Sequence, residues 1–184
     1  MGKDLTAMTK IYITGAPGSG KSYLARRLAA KLDIPWYDLD SDHLYDLNHD
    51  DRDAYYQQLL TQDSWICEAV TLGLHTKWVE VADLVVLLET PLAYRVWRIL
   101  LRTVLKGLGV TFSGQEGRET WYKLRYRLQE TWRYDERHKI PFLSTCTLYQ
   151  DRIHVFSDNS HARRWLLKTI KYRKLTTKIG APRV

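Results

Sequence analysis

The chain has 184 residues, of which 45% are apolar, and a formal net charge of +7. This length predicts one domain, residues 1–184, around a single core and is too short for two. The N-terminus is polar and no apolar run approaches the length of a membrane span, so we expect a cytoplasmic protein with no membrane partner. Cys67 and Cys146 match no metal or redox spacing, and we expect reduced, buried thiols.

The charges are unevenly distributed along the chain. Residues 38–53 hold seven aspartates and one arginine, whereas residues 94–139 hold eleven bases and five acids. From residue 168 onward there are six bases and no acid. Non-specific binding to nucleic acid and a basic lid that closes over a nucleotide would both give this composition.

The first half of the chain alternates strand and helix patterns. Residues 10–14 form a β-branched and aromatic run that predicts a strand, and apolar residues at helical spacing predict a helix over 22–32. After Pro35, the segment WYDLD (36–40) is a second predicted strand, and a polar helix is expected over roughly 51–60.

The second half continues the alternation. The apolar runs 64–70 and 82–90 predict strands that are buried on both faces, as parallel strands are. The remaining predicted elements are a helix over 92–107, a loop over 107–117, a basic helix over 121–138, a strand over 152–156, a helix over 161–170 and a loosely held basic tail over 174–184. This order predicts an α/β sandwich with a five-stranded parallel sheet.

A phosphate-binding motif stands between the first predicted strand and helix. The segment GAPGSGKS matches the pattern G-x-x-x-x-G-K-[ST] in full. The glycines let successive N–H groups point at phosphate oxygens. Lys21 is predicted to reach the β and γ phosphates, and the Ser22 hydroxyl to bind Mg²⁺. The predicted nucleotide-binding residues are Gly15, Ala16, Pro17, Gly18, Ser19, Gly20, Lys21 and Ser22.

Three aspartates follow within five positions at the end of the second predicted strand. Ligands of open α/β sheets bind beyond the carboxyl ends of the strands, and alternation places Asp38 and Asp40 on one side. We predict that Asp40 is the general base or orienter of an acceptor hydroxyl, and that Asp38 helps to hold Mg²⁺ through water. Helix capping is the alternative, and it is the preferred explanation for Ser41 and Asp42.

From Lys10 to Asp40 the chain resembles the small P-loop kinases of the adenylate kinase, shikimate kinase and gluconate kinase type. Over nearly its full length it is most similar to the bacterial adenylate-kinase-related proteins of the DNA topology modulation (FlaR-like) group. The resemblance implies a P-loop NTPase three-layer sandwich with strand order 2-3-1-4-5. It also implies a kinase that uses ATP and Mg²⁺, with a helical arginine-bearing lid at about residues 94–139.

The resemblance implies a metal role for Glu68, which ends the third predicted strand where nucleotide kinases carry an acid that orients Mg²⁺ through water. A helix-capping or purely structural carboxylate is the equal alternative. In the family's arrangement, residues 157–159 would flank the adenine.

The helix after the fourth strand carries a row of arginines. Arg95, Arg98 and Arg102 share one face because they recur at three- and four-residue spacing. We predict that Arg98 and Arg102 neutralise charge on the transferred phosphoryl group, with a solvated basic face as the alternative. Arg133 and Arg137 form a second candidate pair.

Aromatic residues are concentrated on these basic helices. Bases could stack on them in a nucleic-acid groove, but amphipathic packing against the sheet is the preferred explanation. The residues concerned are Tyr94, Trp97, Trp121, Tyr122, Tyr126, Trp132 and Tyr134.

The acid-rich segment 38–53 predicts the charge of the acceptor. Seven aspartates would repel an acceptor phosphate, so a neutral or cationic small molecule with a hydroxyl is expected as the partner of ATP. Nucleic acid is a possible but less favoured partner, either for a nucleotide-regulated binding protein or as the substrate of a polynucleotide 5′-hydroxyl kinase.

Overall fold

The protein is described by a computed structural model that covers residues 9–41, 44, 46–70, 75–110 and 121–180, with the backbone alone for 75 and 172–180. Five strands form one sheet in the order β2-β3-β1-β4-β5, and each neighbouring pair is parallel. The strands are β1 (Lys10–Gly15), β2 (Trp36–Asp38), β3 (Trp65–Ala69), β4 (Leu84–Leu88) and β5 (Ile153–Phe156). Both the parallel sheet and the order 2-3-1-4-5 are confirmed.

Helices connect the strands and cover the sheet. They are α1 (Lys21–Leu32), α2 (His49–Leu60), α3 (His75–Val81), α4 (Leu92–Gly107), α5 (Trp121–Trp132), α6 (Ile140–Thr145) and α7 (Asn159–Gly180). A π-helical turn, Asp135–Lys139, precedes α6, and a 3-10 segment, Thr147–Arg152, leads into β5.

The core has two halves, one on each face of the sheet. Alternation along β1 sends Ile11 and Ile13 to one face and Tyr12 to the other. The first half joins these isoleucines to α1 and α7 through residues such as Leu28 and Leu166. The second half joins Tyr12 to Trp65 and Trp78, and both free cysteines are buried in it, as predicted. Burial on both faces explains the continuous apolar runs of β3 and β4.

Several element boundaries differ from the predicted ones. Strand β2 ends at Asp38, so Leu39 and Asp40 form a turn, and α2 is capped by Asn48, whose side chain accepts a hydrogen bond from the N–H of Asp51. The predicted helix over 121–138 is divided at Trp132. Helix α7 continues to Gly180, so most of the predicted tail is helical, and 181–184 lie outside the described residues together with 111–117 of the predicted loop and Asp42.

The predicted packing of the aromatic residues against the sheet is wrong for six of the seven side chains. Only Tyr134 is buried. The others have more than half of their side-chain surface exposed, namely Tyr94, Trp97, Trp121, Tyr122, Tyr126 and Trp132. The buried positions of α4 and α5 are held instead by residues such as Arg95, Ile99, Leu124 and Thr131. No helix in the described part of the chain has the length and apolarity that a membrane span requires.

Candidate functional site

The phosphate-binding loop lies between β1 and α1, at the carboxyl edge of the sheet. Its glycines have positive φ angles, 79° at Gly18 and 94° at Gly20, which residues with a Cβ rarely adopt. A Cβ at Gly18 would lie 2.6 Å from the carbonyl oxygen of Arg95, and one at Gly20 would lie 2.1 Å from Nδ2 of Asn159. The motif therefore requires glycine both for backbone conformation and for the close approach of α4 and α7.

Each carbonyl oxygen from Ala16 to Gly20 accepts a hydrogen bond. The N–H of Ser19 and Nζ of Lys21 donate to Ala16 O at 3.1 and 3.3 Å. The other donors come mostly from distant parts of the chain: Thr131 Oγ1 donates to Pro17 O, Arg98 Nη1 to Gly18 O and Ser19 O, Thr90 Oγ1 to Ser19 O, and Asn159 Nδ2 to Gly20 O. These contacts fix the carbonyl groups of the loop, while the first N–H groups of α1 have no acceptor within the helix and can bind an anion.

Replacing Thr131 should weaken nucleotide binding through this support. Its hydroxyl donates to Pro17 O at 2.6 Å and its side chain is fully buried. Thr131→Val keeps the shape but removes the donor, so we expect the affinity for ATP·Mg²⁺ to fall about threefold to tenfold, the value of one net hydrogen bond. Titration calorimetry measures the change. Thr103→Val, which removes a hydroxyl bonded within α4 to Ile99 O, is the matched control, and an equal loss in both variants would contradict the role of Thr131.

Three ionisable groups meet beside the loop. Strands β2 and β3 pair in register so that Asp38 lies directly opposite Glu68, and Glu68 also lies opposite Ile13 of β1. Burial has the largest effect on the pKa of both carboxyl groups and raises it, whereas the positive charge of Lys21 opposes this rise in both groups and the Ser22 hydroxyl opposes it in Glu68. Lys21 and Glu68 have only 7% and 1% of their surface exposed. The sheet thus brings together the predicted residues Lys21, Ser22, Asp38 and Glu68.

Burial and mutual repulsion raise the pKa of both acids. Burial, followed by the charge of Asp40, raises the pKa of Asp38 to about 6. Burial, followed by the charge of Asp38, raises the pKa of Glu68 to about 8. At neutral pH the protein without ligand therefore favours a protonated Glu68. Oxygen Oε1 of Glu68 is buried and has no hydrogen-bond partner in the part of the chain that the structure describes, so this carboxyl group has unused capacity to bind a cation or a donor.

The raised pKa of Glu68 predicts how stability depends on pH. Between the ordinary pKa of 4.5 and about 8, the folded protein holds a proton that the unfolded chain has lost, so stability falls as pH rises through this window. Glu68→Gln imitates the protonated form, and we expect the variant to be more stable than the wild type at pH 8, by on the order of a few kcal/mol, with a smaller difference at pH 5. Thermal unfolding in EDTA between pH 5 and pH 8 measures this difference in stability. Glu80→Gln, at an exposed position of α3, is the control, and parallel profiles for wild type and Glu68→Gln would contradict the assignment.

Asp40 lies in the turn after β2. Its backbone N–H donates to Oδ1 of Asp38 at 3.0 Å, and its own Oδ2 accepts a hydrogen bond from the N–H of Val70 after β3. The predicted placement of Asp40 at the end of a strand is corrected to this turn, but its carboxylate remains at the same edge of the sheet. The negative charge of Asp40 adds to burial in raising the pKa of Asp38, Glu68 and Tyr126. Since Tyr126 belongs to α5, this helix borders the acidic side of the site.

The arginines of α4 share the face toward the loop, as predicted, but they make different contacts. Arg95 is buried with its guanidinium over the ring of Tyr134. Arg98 contacts the loop carbonyls, which makes it a support of the loop in this structure. Burial is the main cause of the raised pKa of Asp38, and the charge of Arg102 is among those that oppose it, so Arg102 is the arginine of this row that acts on an acid of the site. A direct role of Arg98 or Arg102 in phosphoryl transfer remains a prediction.

The two arginines of the second predicted pair stay one helical turn apart, since the N–H of Arg137 donates to Arg133 O at 3.0 Å, but only Arg137 forms an ion pair with a described residue. Arg137 donates to Oε1 of Glu130 at 2.7 Å, and Nε2 of His138 lies 2.8 Å from Oε2 of the same residue. Arg133 is exposed on α5. Glu130 is buried, so these contacts hold the π-helical turn against α5 next to Thr131.

Sequence reasoning missed the residues that support the loop from a distance. Thr90, Thr131 and Asn159 are small polar residues without a motif, and their partners lie 71, 114 and 139 positions away. Asn159 lies in the segment that the resemblance places near adenine, and here it binds the loop. A polar residue shortly after an apolar strand, as at Thr90 two positions beyond β4, was the one available signal.

The fold is similar to those of solved P-loop kinases. A gluconokinase from Sinorhizobium meliloti 1021 is 15% identical with a TM-score of 0.50, and the match covers 96% of this chain and 99% of that one. A shikimate kinase from Bacteroides thetaiotaomicron is 16% identical with a TM-score of 0.52 over 95% and 100%. A shikimate kinase from Acinetobacter baumannii in complex with shikimate is 16% identical with a TM-score of 0.52 over 92% and 97%. At these identities the similarity shows a shared fold. No protein-family model and no curated protein matches the chain.

Proposed function

We propose that this chain is an ATP-dependent kinase that transfers the γ-phosphate of ATP to a hydroxyl group of a small acceptor. The observation that carries the proposal is the junction of an anion-binding loop with a cluster of acids, in which Lys21 acts on both Asp38 and Glu68. Phosphoryl transfer needs both parts, because the nucleotide phosphates must be held while a carboxylate takes the acceptor proton. The shared fold with gluconokinase and shikimate kinases supports the same reaction class.

Each residue has a role that follows from its position. The loop N–H groups and Lys21 bind the phosphates of ATP. Asp40 accepts the proton of the acceptor hydroxyl while the hydroxyl oxygen forms a bond to the γ-phosphorus. The bond between the γ-phosphorus and the β,γ-bridging oxygen breaks, and ADP is released. The hydrogen bond from Val70 N–H fixes the orientation of the Asp40 carboxylate. Arg102 is placed to balance negative charge beside Asp38.

The residues beside Lys21 fit Mg²⁺. Hard oxygen ligands are available from the Ser22 hydroxyl and the carboxyl groups of Asp38 and Glu68, and Oε1 of Glu68 has no hydrogen-bond partner among the described residues. Within the described residues, no group of three or more acid, histidine or cysteine side chains is assembled to hold a metal by itself. Mg²⁺ in such sites is held by few carboxylates together with the substrate phosphates, and when bound it neutralises charge on the β and γ oxygens.

The acceptor is expected to be neutral or cationic. The acids Asp38, Asp40 and Glu68 lie together at the carboxyl edge of the sheet, and an anionic group there would meet three carboxyl groups. Of the cations around the loop, Arg98 contacts the loop carbonyls and Arg137 contacts Glu130, while Lys21 and Arg102 act on the acids themselves. A polyol, a sugar, a nucleoside or an amino alcohol fits this charge better than a phosphorylated compound.

The test is transfer of labelled γ-phosphate from ATP to separate pools of neutral polyols, sugars, nucleosides, amino alcohols, carboxylated alcohols and nucleoside monophosphates. A reaction in EDTA is the blank. We expect magnesium-dependent product in a neutral or cationic pool and at least tenfold less in the anionic pools. Tight ATP binding with no product in any pool would argue against a small-molecule kinase, and product confined to the anionic pools would overturn the acceptor assignment.

A further inference from the structure

Helix α5 carries two tryptophans that the proposed kinase reaction does not use. Trp121 is 86% exposed and Trp132 is 73% exposed. They are eleven residues apart, close to three helical turns, so both project from the same side of the helix about 16 Å apart. Burying a tryptophan is strongly favourable, and two so exposed on one helix face need an explanation other than core packing.

Cations and an amide lie between and beside the two indoles. Arg125, Gln129 and Arg133 are all exposed, and neither arginine forms an ion pair with a described residue. A groove of about 540 Å³ runs along this side, lined by Trp121, Leu124, Arg125, Leu128, Gln129 and Arg133. We call Trp121, Arg125, Gln129, Trp132 and Arg133 the aromatic–basic stripe.

The stripe is positive, and within α5 no acid lies on its outward side. From Trp121 to Arg133 the only acid is Glu130, which is buried and already contacts Arg137 and His138. The stripe therefore fits a partner that carries negative charges and flat apolar faces at intervals along an extended chain.

We propose that the aromatic–basic stripe of α5 binds single-stranded nucleic acid, with bases stacked on Trp121 and Trp132 and backbone phosphates paired with Arg125 and Arg133. Stacking on exposed aromatic rings requires unpaired bases, so a single strand is expected to bind better than a duplex. This site is separate from the phosphate-binding loop and does not depend on the proposed kinase reaction.

The other macromolecular partners fit this surface less well. A bilayer surface needs a continuous apolar face, but the two leucines along the stripe are at most partly exposed, since Leu124 is buried and Leu128 is intermediate. A second copy of the chain that docked through the same stripe would place arginine against arginine. The more aliphatic outward face of α4, which includes Leu101, Val104 and Leu108, is not part of the proposed site.

Binding of a fluorescein-labelled 20-nucleotide oligo(dT), measured by anisotropy at 50 and 200 mM salt, tests the proposal. The full chain carrying Lys21→Met is used throughout, so that binding through the phosphate loop is removed. We expect saturable binding that Trp121→Ala and Trp132→Ala each weaken by about tenfold. Arg125→Gln with Arg133→Gln should reduce the slope of log affinity against log salt by roughly 1.4, the value for two phosphate contacts on a single strand.

Trp97→Ala is the matched control, because Trp97 is 61% exposed but lies on α4 outside the stripe. Each variant is first shown to have an unchanged unfolding midpoint. The proposal is overturned if the oligonucleotide does not bind, if only the arginine substitutions weaken binding, or if heparin and duplex DNA bind as tightly as the single strand. Tryptophan-dependent binding to phosphatidylglycerol vesicles in place of the oligonucleotide would assign the stripe to a membrane surface instead.

Discussion

Lys21→Met is expected to abolish phosphate transfer. Lys21 is buried at the start of α1, where the helix N-terminus and the loop N–H groups already favour an anion, and its ammonium group supplies the positive charge closest to the acids. Removal of one preorganised charge at a phosphoryl-transfer site costs on the order of 10³-fold in kcat/KM. The measurement is initial rate with the best acceptor from the pools, together with the thermal shift that ATP·Mg²⁺ produces, which should disappear.

Lys31→Met is the control for this substitution, because Lys31 lies in the last turn of the same helix and is exposed. Loss of Lys21 also removes a charge that lowers the pKa of Asp38 and Glu68, so the fold of the variant should be checked by circular dichroism at pH 6 and pH 8. A Lys21→Met protein that is folded and keeps more than a tenth of the wild-type rate would refute the assignment of the loop as the catalytic phosphate site.

Asp40→Asn is expected to lower kcat by about 10²-fold while the affinity for ATP·Mg²⁺ changes less than twofold, as for loss of a general base. The substitution should leave the turn intact, because the amide oxygen of asparagine can still accept the hydrogen bond from Val70 N–H. Rapid-quench measurement of a single turnover separates the chemical step from product release.

Asp46→Asn is the matched control, since Asp46 belongs to the same acidic segment but is exposed. Asp40→Ala should lose stability as well as activity, because it leaves the Val70 N–H without this acceptor. If Asp40→Asn turned over at the wild-type rate, the base would have to be another group, and Asp38→Asn would be the next variant to measure.

The loop and the main elements could be predicted because their signals are local. Glycines at Gly18 and Gly20 are needed for positive φ angles, which is a property of a few neighbouring residues. Helix α4 was predicted with the bounds that it has, since apolar and basic positions repeat with the helical period. Asp38 was predicted to lie at the carboxyl edge of the sheet because ligands of open α/β sheets bind there, whereas a role for Glu68 was implied only by the resemblance. The resemblance to DNA topology modulation proteins remains a prediction.

Other predictions were wrong where the structure depends on contacts between residues that are far apart in the chain. The rhythm of aromatic residues on α4 and α5 matched amphipathic packing, but a periodic pattern does not say which face has a partner, and most of these rings are exposed. Helix α3 was missed since seven residues give too little of a helical period, and the helix over 121–138 was predicted as one because no proline or glycine marks its division at Trp132.

The sequence by itself determined the phosphate-binding loop, the parallel sheet and the identity of the acids at its edge, because each follows from short-range backbone and side-chain preferences. Only the tertiary structure decided that Arg98 supports the loop, that Thr131 and Asn159 hold its carbonyl groups, and that the pKa of Glu68 rises. The physical reason is that hydrogen bonds and burial depend on atoms that meet in space, and these partners are separated by up to 139 positions in the chain.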